Sequence, residues 1–231
     1  MTATASIFRR RIVPAVAAAA VTSLIAGAAW QGYRFVASQP LKRVVFAGDL
    51  DRLPHAQLEA LSIAVQSSAP GGVTLAAVRE AALKVPWVRD ATVRRRFPDA
   101  VEITFEAHQA LARWSANRLV STRGEVFAAE DAAPLPRFRG PEGTAAAMAL
   151  EYPAMARLLA PLASPIAELR LSARGAWQVA LSSGLTLELG RGDARARAER
   201  FVAAWPQLAA KAVETSYADL RYPNGFALKK K

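Results

Sequence analysis

An uncharged run opens the pattern. Residues Ile12 to Tyr33 carry no charged side chain and are rich in Ala and Val. Those 22 residues make about 33 Å of helix, against a hydrocarbon core of about 30 Å. The pattern predicts a transmembrane helix over 12–33. Arg9, Arg10 and Arg11 directly precede it, and a short tail with three arginines stays in the cytoplasm. Trp30, Tyr33 and Phe35 cluster at the far end, where aromatic rings favour the interface, and Arg34 can snorkel to headgroups. Pro14 falls in the first turn, where its missing N–H costs little. The competing reading is a cleavable signal, since Ala26-Gly27-Ala28 has the small-x-small form. The run exceeds the 7–15 residues usual for a signal core, which favours an anchor. Either way residues 41–231 are exported, to the periplasm in a bacterium with two membranes.

Beyond the run, periodicity changes several times. Leu41 to Phe46 reads as a strand ending at Ala47-Gly48-Asp49. Pro54 to Val65 reads as a helix, with Leu58, Leu61 and Val65 on one face. Ala69-Pro70-Gly71-Gly72 is a break. Thr74 is a candidate N-cap for a second helix, whose face is Leu75, Val78 and Ala82 and which Pro86 stops. Val88 to Phe97 and Val101 to Glu106 read as the arms of a hairpin. Val101, Ile103 and Phe105 alternate with Glu102, Thr104 and Glu106, as in a half-buried strand. Phe97-Pro98-Asp99-Ala100 suits the turn, and the acids are expected to face Arg94 and Arg96. The order is β-α-α-β-β.

From Ala110 short strands dominate: Ala110 to Trp114, Leu119 to Ser121 and Val126 to Ala128. Pro134, Pro136 and Pro141 mark a loop. Ala145 to Leu162 looks helical, interrupted by Pro153. Strands follow at Glu168 to Ser172, Trp177 to Leu181 and Leu185 to Leu189, the last two joined around Ser182-Ser183-Gly184. Asp193 is a candidate cap for a helix carrying Phe201, Val202, Trp205 and Leu208, which Pro206 should kink or end early. Tyr217 to Tyr222 reads as a strand that Pro223-Asn224-Gly225 turns or bulges, and Phe226-Ala227-Leu228 can extend it. The fold class is α+β: a single N-terminal transmembrane helix, a β-α-α-β-β domain, and a C-terminal mixed β domain with flanking helices. The expected limits are a cytoplasmic tail at 1–11, the span at 12–33, domains at 41–107 and 108–228, and a solvated basic tail at 229–231.

Composition narrows function mainly by exclusion. The absence of cysteine rules out a disulfide scaffold, a thiolate metal site and a cysteine nucleophile. Net charge is +11, but six Lys/Arg and no acid lie within residues 1–43. More than half the excess therefore flanks the apolar run, so a membrane explains it better than a nucleic acid. Arg94-Arg95-Arg96 is the strongest internal basic cluster, but it lacks the stacking aromatics or groove-binding helix of a nucleic-acid site. No nucleophile elbow, zinc-binding helix motif or P-loop is present. Gly190-Arg191-Gly192 lacks the third glycine of a dinucleotide fingerprint and reads as a strand–turn–helix junction. His55 reads as a surface or cap position. His108, near Glu106, has no partner set for general-base chemistry, and Glu130-Asp131 reads as solvated. No enzyme, metal or cofactor is expected. Trp87, Trp114, Trp177 and Trp205 fall on apolar faces.

The β-α-α-β-β order behind one anchor resembles a POTRA domain. Residues 86–114, PWVRDATVRRRFPDAVEITFEAHQALARW, resemble the FtsQ/DivIB family of cell-division proteins, as do residues 119–127, LVSTRGEVF. Residues 177–201, WQVALSSGLTLELGRGDARARAERF, resemble that family's β domain, and residues 217–229, YADLRYPNGFALK, its closing strand. The loop at 130–165 matches least. The resemblance implies a non-catalytic, bitopic inner-membrane scaffold of the division septum. It implies binding to FtsB and FtsL, which engage the synthase FtsW–FtsI. It associates the POTRA part with recruitment and with FtsK, and the β domain with FtsB near its C-terminus.

A closing strand with one free edge offers unpaired N–H and C=O groups to a partner strand. Residues Arg221 to Phe226 are expected to form that edge. Tyr222 and Phe226 would be apolar anchors, or would complete the core; Arg221 would pair with a partner acid, and Asn224 and Gly225 would admit its backbone. Arg174 matches a family position near the same surface. An alternative class is a POTRA-type docking or chaperone module in secretion or outer-membrane assembly, but the chain has one copy and no room for a barrel. An anchored wall hydrolase would need a nucleophile, a metal triad or a placed carboxylate pair, and none is visible.

Overall fold

Burial of alternate residues organises the first part of the chain. In the computed structural model, residues 20–34, 43–67, 74–97, 99–212 and 215–230 are described. Residues 20–34 (α1) are helical, with the Trp30 and Tyr33 rings 6.2 Å apart. The expected tail at 1–11, residues 12–19 of the expected span, Leu41, the break at 69–72 and Pro98 of the turn lie outside the described residues. Among the described residues, no helix is long and apolar enough to cross a membrane.

Contacts divide the chain into two compact units, one up to Glu106 and one from Ala107. The first holds β1 (Arg43–Gly48), α2 (His55–Gln66), α3 (Leu75–Ala82), β2 (Val88–Arg96) and β3 (Ala100–Ala107). Its order is the expected β-α-α-β-β. The sheet runs β1-β3-β2, with β1 parallel to β3. The Thr74 side chain accepts a hydrogen bond from the Ala77 amide at 3.1 Å, so the expected cap forms. Leu58, Leu61 and Val65 from α2 and Val78 and Ala82 from α3 are buried, as are Val101, Ile103 and Phe105 of β3. Each large apolar side chain so buried contributes about 1.5–3 kcal/mol. β1 ends at Gly48 (φ +86°), where a Cβ would lie 2.2 Å from the Phe105 carbonyl oxygen.

One pairing in the hairpin differs from expectation. Arg96 meets Glu102 at 3.0 Å, but Glu106 pairs with Arg89 rather than Arg94. Glu106 lies far from the turn, so its neighbour on β2 is near the strand's start.

The second unit is one nine-stranded sheet of order β12-β11-β10-β9-β8-β7-β4-β5-β6. Its strands are β4 (Ala110–Ser115), β5 (Arg118–Ser121), β6 (Val126–Ala128), β7 (Arg137–Arg139), β8 (Ile166–Leu171), β9 (Trp177–Leu181), β10 (Thr186–Gly190), β11 (Thr215–Asp219) and β12 (Ala227–Lys230). The helices are α4 (Ala145–Leu159), continued by a 3₁₀ turn at Ala160–Leu162, and α5 (Ala194–Ala212). β7 and β8 are parallel, as are β10 and β11. Parallel neighbours require a crossover, and α4 and α5 supply one each. Met148 and Met155 of α4 and Ala198 and Phe201 of α5 pack in one core with Phe138, Leu169, Val179, Leu187 and Ala218 of the sheet. The helices thus cover one face, and polar side chains such as Arg137, Arg139 and Glu168 occupy the other.

Neither internal proline ends its helix: α4 runs through Pro153 and α5 through Pro206. Both prolines are exposed. Each removes one backbone donor, at about 3 kcal/mol, and the buried faces to either side hold the helix. Asp193 caps α5 as expected, accepting from the Ala196 amide at 3.1 Å.

Candidate functional site

The closing end of the sheet differs from the sequence expectation. β11 stops at Asp219, the chain turns through residues 220–226, and β12 returns antiparallel along β11. Among the described residues the strand that ends the sheet on this side is therefore β12, Ala227–Lys230, not Arg221–Phe226; β6 ends the other side. All four β12 residues are exposed, including Leu228. The expected basic tail is corrected in the same way. Lys229 pairs with Tyr217 and Lys230 with Thr215, while Lys231 lies outside the described residues. A bulge at Ser216 lets its hydroxyl donate to the Lys230 carbonyl at 3.2 Å. Pro223-Asn224-Gly225 carried the signal, because such a triplet suits a reversal better than a bulge.

The connection is held from three sides. Asp219 is buried and accepts from the Arg221 amide at 3.0 Å and from its guanidinium at 2.9 and 2.6 Å. The guanidinium is the main reason that the Asp219 carboxyl sits below the usual carboxylate range; burial opposes it and the Arg221 amide assists. The same pairing raises the Arg221 guanidinium. The Arg221 stem lies over Gly190 (φ +68°), where a Cβ would be 2.8 Å from Cγ. Arg200 of α5 donates to the Pro223 carbonyl and, at 3.2 Å, to that of Tyr222. Phe226 packs edge-on against Phe201, with centroids 5.4 Å apart.

The expected site residues thus divide. Tyr222 is 52% exposed and Asn224 is exposed, so both are available at the surface. Gly225 is half-buried, and Phe226 joins the core periphery. Arg221 already has a carboxylate partner in Asp219. Arg174 is exposed in the β8–β9 turn, beyond Trp177, which pairs with Gly190 at the same end of the sheet. Sequence reasoning missed Asp219 and Arg200, whose roles depend on contacts 2 and 22–23 residues away that hydropathy does not encode.

Other polar groups offer less. A cavity of about 670 Å³ on the outer face is lined by Arg113, Trp114, Ser115, Ala116, Arg137 and Arg139. Its own neighbours already occupy two of these arginines: Arg113 donates to the Asp131 and Ala133 carbonyls, and Arg139 meets Glu168 at 2.9 Å. His108 stacks on Phe127 at 4.2 Å with Glu125 3.3 Å from Nδ1. Among the described residues no group of three or more His, Asp or Glu is placed to hold a metal ion.

A β-α-α-β-β unit followed by a mixed sheet with an open terminal strand defines an α+β protein of the POTRA-bearing class. The model of the FtsQ-type POTRA domain matches residues 39–106, and that of the C-terminal part of cell division proteins FtsQ/DivIB matches residues 112–221. Cell division protein FtsQ of Bordetella pertussis is 38% identical, over 91% of this chain and 86% of that protein. Its counterpart in Xanthomonas campestris is 33% identical over 96% and 81%, and that of Neisseria gonorrhoeae 35% over 82% and 79%. The chain belongs to the FtsQ/DivIB family of cell-division proteins.

Proposed function

We propose that this chain is a non-catalytic scaffold of the bacterial division machinery that captures a partner strand on β12. On this reading residues 12–33 cross the inner membrane once, the N-terminus is cytoplasmic, and the bulk lies in the periplasm at the septum. Residues 41–107 act as the POTRA domain and 108–228 as the docking domain. The partners are the periplasmic parts of FtsB and FtsL, through them FtsW–FtsI, and FtsK on the POTRA side. No cofactor takes part.

One observation carries the reading. Among the described residues β12 is the last strand at one end of a nine-stranded sheet and has a neighbour on one side only. A strand added there gains main-chain hydrogen bonds for affinity, while flanking side chains supply selectivity. Tyr222, Asn224 and Gly225 border that edge from the connection, and Arg174 stands at the same end of the sheet.

The test is a titration of the full chain, in detergent, with the periplasmic part of FtsB, alone and with FtsL. Parent, Tyr222→Ala and a form lacking residues 227–231 are compared. Binding by the parent that is weakened in the first variant and abolished in the second supports the proposal. A folded parent that binds neither partner refutes it.

A further inference from the structure

The chain joins its first sheet at Arg43, the opening residue of β1. Arg43 pairs with Ala100 in β3; its amide donates to the Asp99 carbonyl at 3.3 Å and its guanidinium to the Asp99 carboxylate at 3.0 Å. The β2–β3 turn therefore lies at the end of the sheet where the chain arrives from its N-terminal segment. Phe97 in that turn is 77% exposed. Arg94 and Arg96 are exposed on the strand leading to it, and Arg95 is half-buried. Four arginines (43, 94, 95 and 96) cluster at this end against two carboxylates, Asp99 and Glu102. The opposite end of the sheet carries Asp49, Asp51 and Glu106 with Arg52 and Arg89, so positive charge is concentrated at one end. From residue 34 to Arg43 is nine residues, a reach of at most about 30 Å.

We infer that this end of the first unit rests on the bilayer surface. Phe97 enters the headgroup–acyl boundary, and Arg94 and Arg96, exposed on one face of β2, contact the phosphates of anionic phospholipid. The inference rests on the reading that residues 12–33 span the membrane. An exposed aromatic ring beside clustered guanidiniums suits an interface that is apolar on one side and anionic on the other. A short tether keeps the patch close to that surface, so a weak contact suffices. The consequence is orientation: the first unit is held by its basic end, leaving its acidic end outward.

The absence of cysteine allows a direct test. Full-length Phe97→Cys and Asp51→Cys chains carry an environment-sensitive fluorophore and are reconstituted into vesicles of phosphatidylglycerol or phosphatidylcholine containing doxyl-labelled lipid. The label at position 97 should lose about half its fluorescence in anionic vesicles, as expected for a group at the acyl boundary. The label at position 51, at the opposite end of the same unit, should lose none, and adding Arg94→Ser and Arg96→Ser should restore most of the signal at position 97. Equal quenching at positions 97 and 51 would overturn the inference, and equal quenching of position 97 in both lipids would overturn the preference of the arginines for anionic phospholipid. Flotation separates the two readings. A chain that fails to float with vesicles refutes the membrane span and this inference together, whereas a floating chain with an unquenched position 97 refutes this inference alone.

Discussion

Arg221 folds back on Asp219, two residues earlier, and donates to both of its carboxylate oxygens at 2.9 and 2.6 Å. The Arg221 amide donates to the same carboxylate at 3.0 Å. Three charge-assisted bonds on one buried group end β11 and set the direction of the connection to β12. The side chain expected to reach for a partner's acid is thus engaged within its own chain, where it shapes the edge that a partner would meet.

Asp219→Asn should lower unfolding stability by about 1–2 kcal/mol at neutral pH, since the buried acceptor loses its charge. The pH dependence follows from the lowered carboxyl. Its stabilisation is complete above the ordinary carboxylate range, near pH 4, and is lost as pH falls through the depressed value. The gap between parent and variant should therefore narrow on acidification from about pH 4 downward. Denaturant titrations from pH 7 to pH 2 measure it, and a gap that stays constant would contradict the assignment.

Tyr222 and Phe226 should behave differently. Phe226 packs edge-on against Phe201, which is 1% exposed, so Phe226→Ala should cost about 2–3 kcal/mol. Tyr222 is 52% exposed, and Tyr222→Ala should change stability by no more than about 0.5 kcal/mol. Thermal melts of the two variants decide between them; a larger loss for Tyr222→Ala would make Tyr222 the structural residue of the pair and Phe226 the one free for a partner.

What was legible in the sequence was local. Thr74 and Asp193 cap their helices because a short polar side chain meets an amide three residues on. Val101, Ile103 and Phe105 showed their face by strict alternation, and all three are buried. β12 was illegible for the opposite reason. Ala227–Lys230 has no buried face, so its hydropathy matches a solvated tail, and only pairing with β11 makes it a strand. Pro153 and Pro206 do not end α4 and α5, because the cost of each is local, whereas the packing that holds the helices comes from the whole buried face. The partner of Glu106 was missed because it depends on hairpin register 17 residues away, at Arg89. At the C-terminal end the sequence points to Arg221–Phe226 as the edge, whereas the terminal strand is Ala227–Lys230 and those six residues form the connection to it.

Gly48→Ala should be among the most damaging single changes in the first unit. The backbone there has φ +86°, and the added Cβ would meet the Phe105 carbonyl oxygen at 2.2 Å, an atom that cannot swing aside. Left-handed strain and the clash together should cost at least about 3 kcal/mol. Amide exchange should accelerate across β1 and β3 and stay at parent rates in β8 and β9. Unchanged protection in β1 would show that the backbone relaxes freely at this position.

The free edge carries its own charge. Lys229 and Lys230 lie on β12 with no further strand beyond them among the described residues, and lysines on an edge discourage indiscriminate strand pairing. They also favour an incoming strand that brings carboxylates. Lys229→Glu with Lys230→Glu should leave the melting temperature near the parent value, because both side chains are exposed. Association with the periplasmic part of FtsB should slow about tenfold at low salt, since rim charges act mainly on the rate of encounter. Raising salt above about 0.15 M should close most of that gap through screening. Stopped-flow rates across a salt series measure both effects. Equal rates at low salt would mean that the partner does not run along β12, whereas a deficit that persists at high salt would mean that the lysines act through packing rather than through their charge.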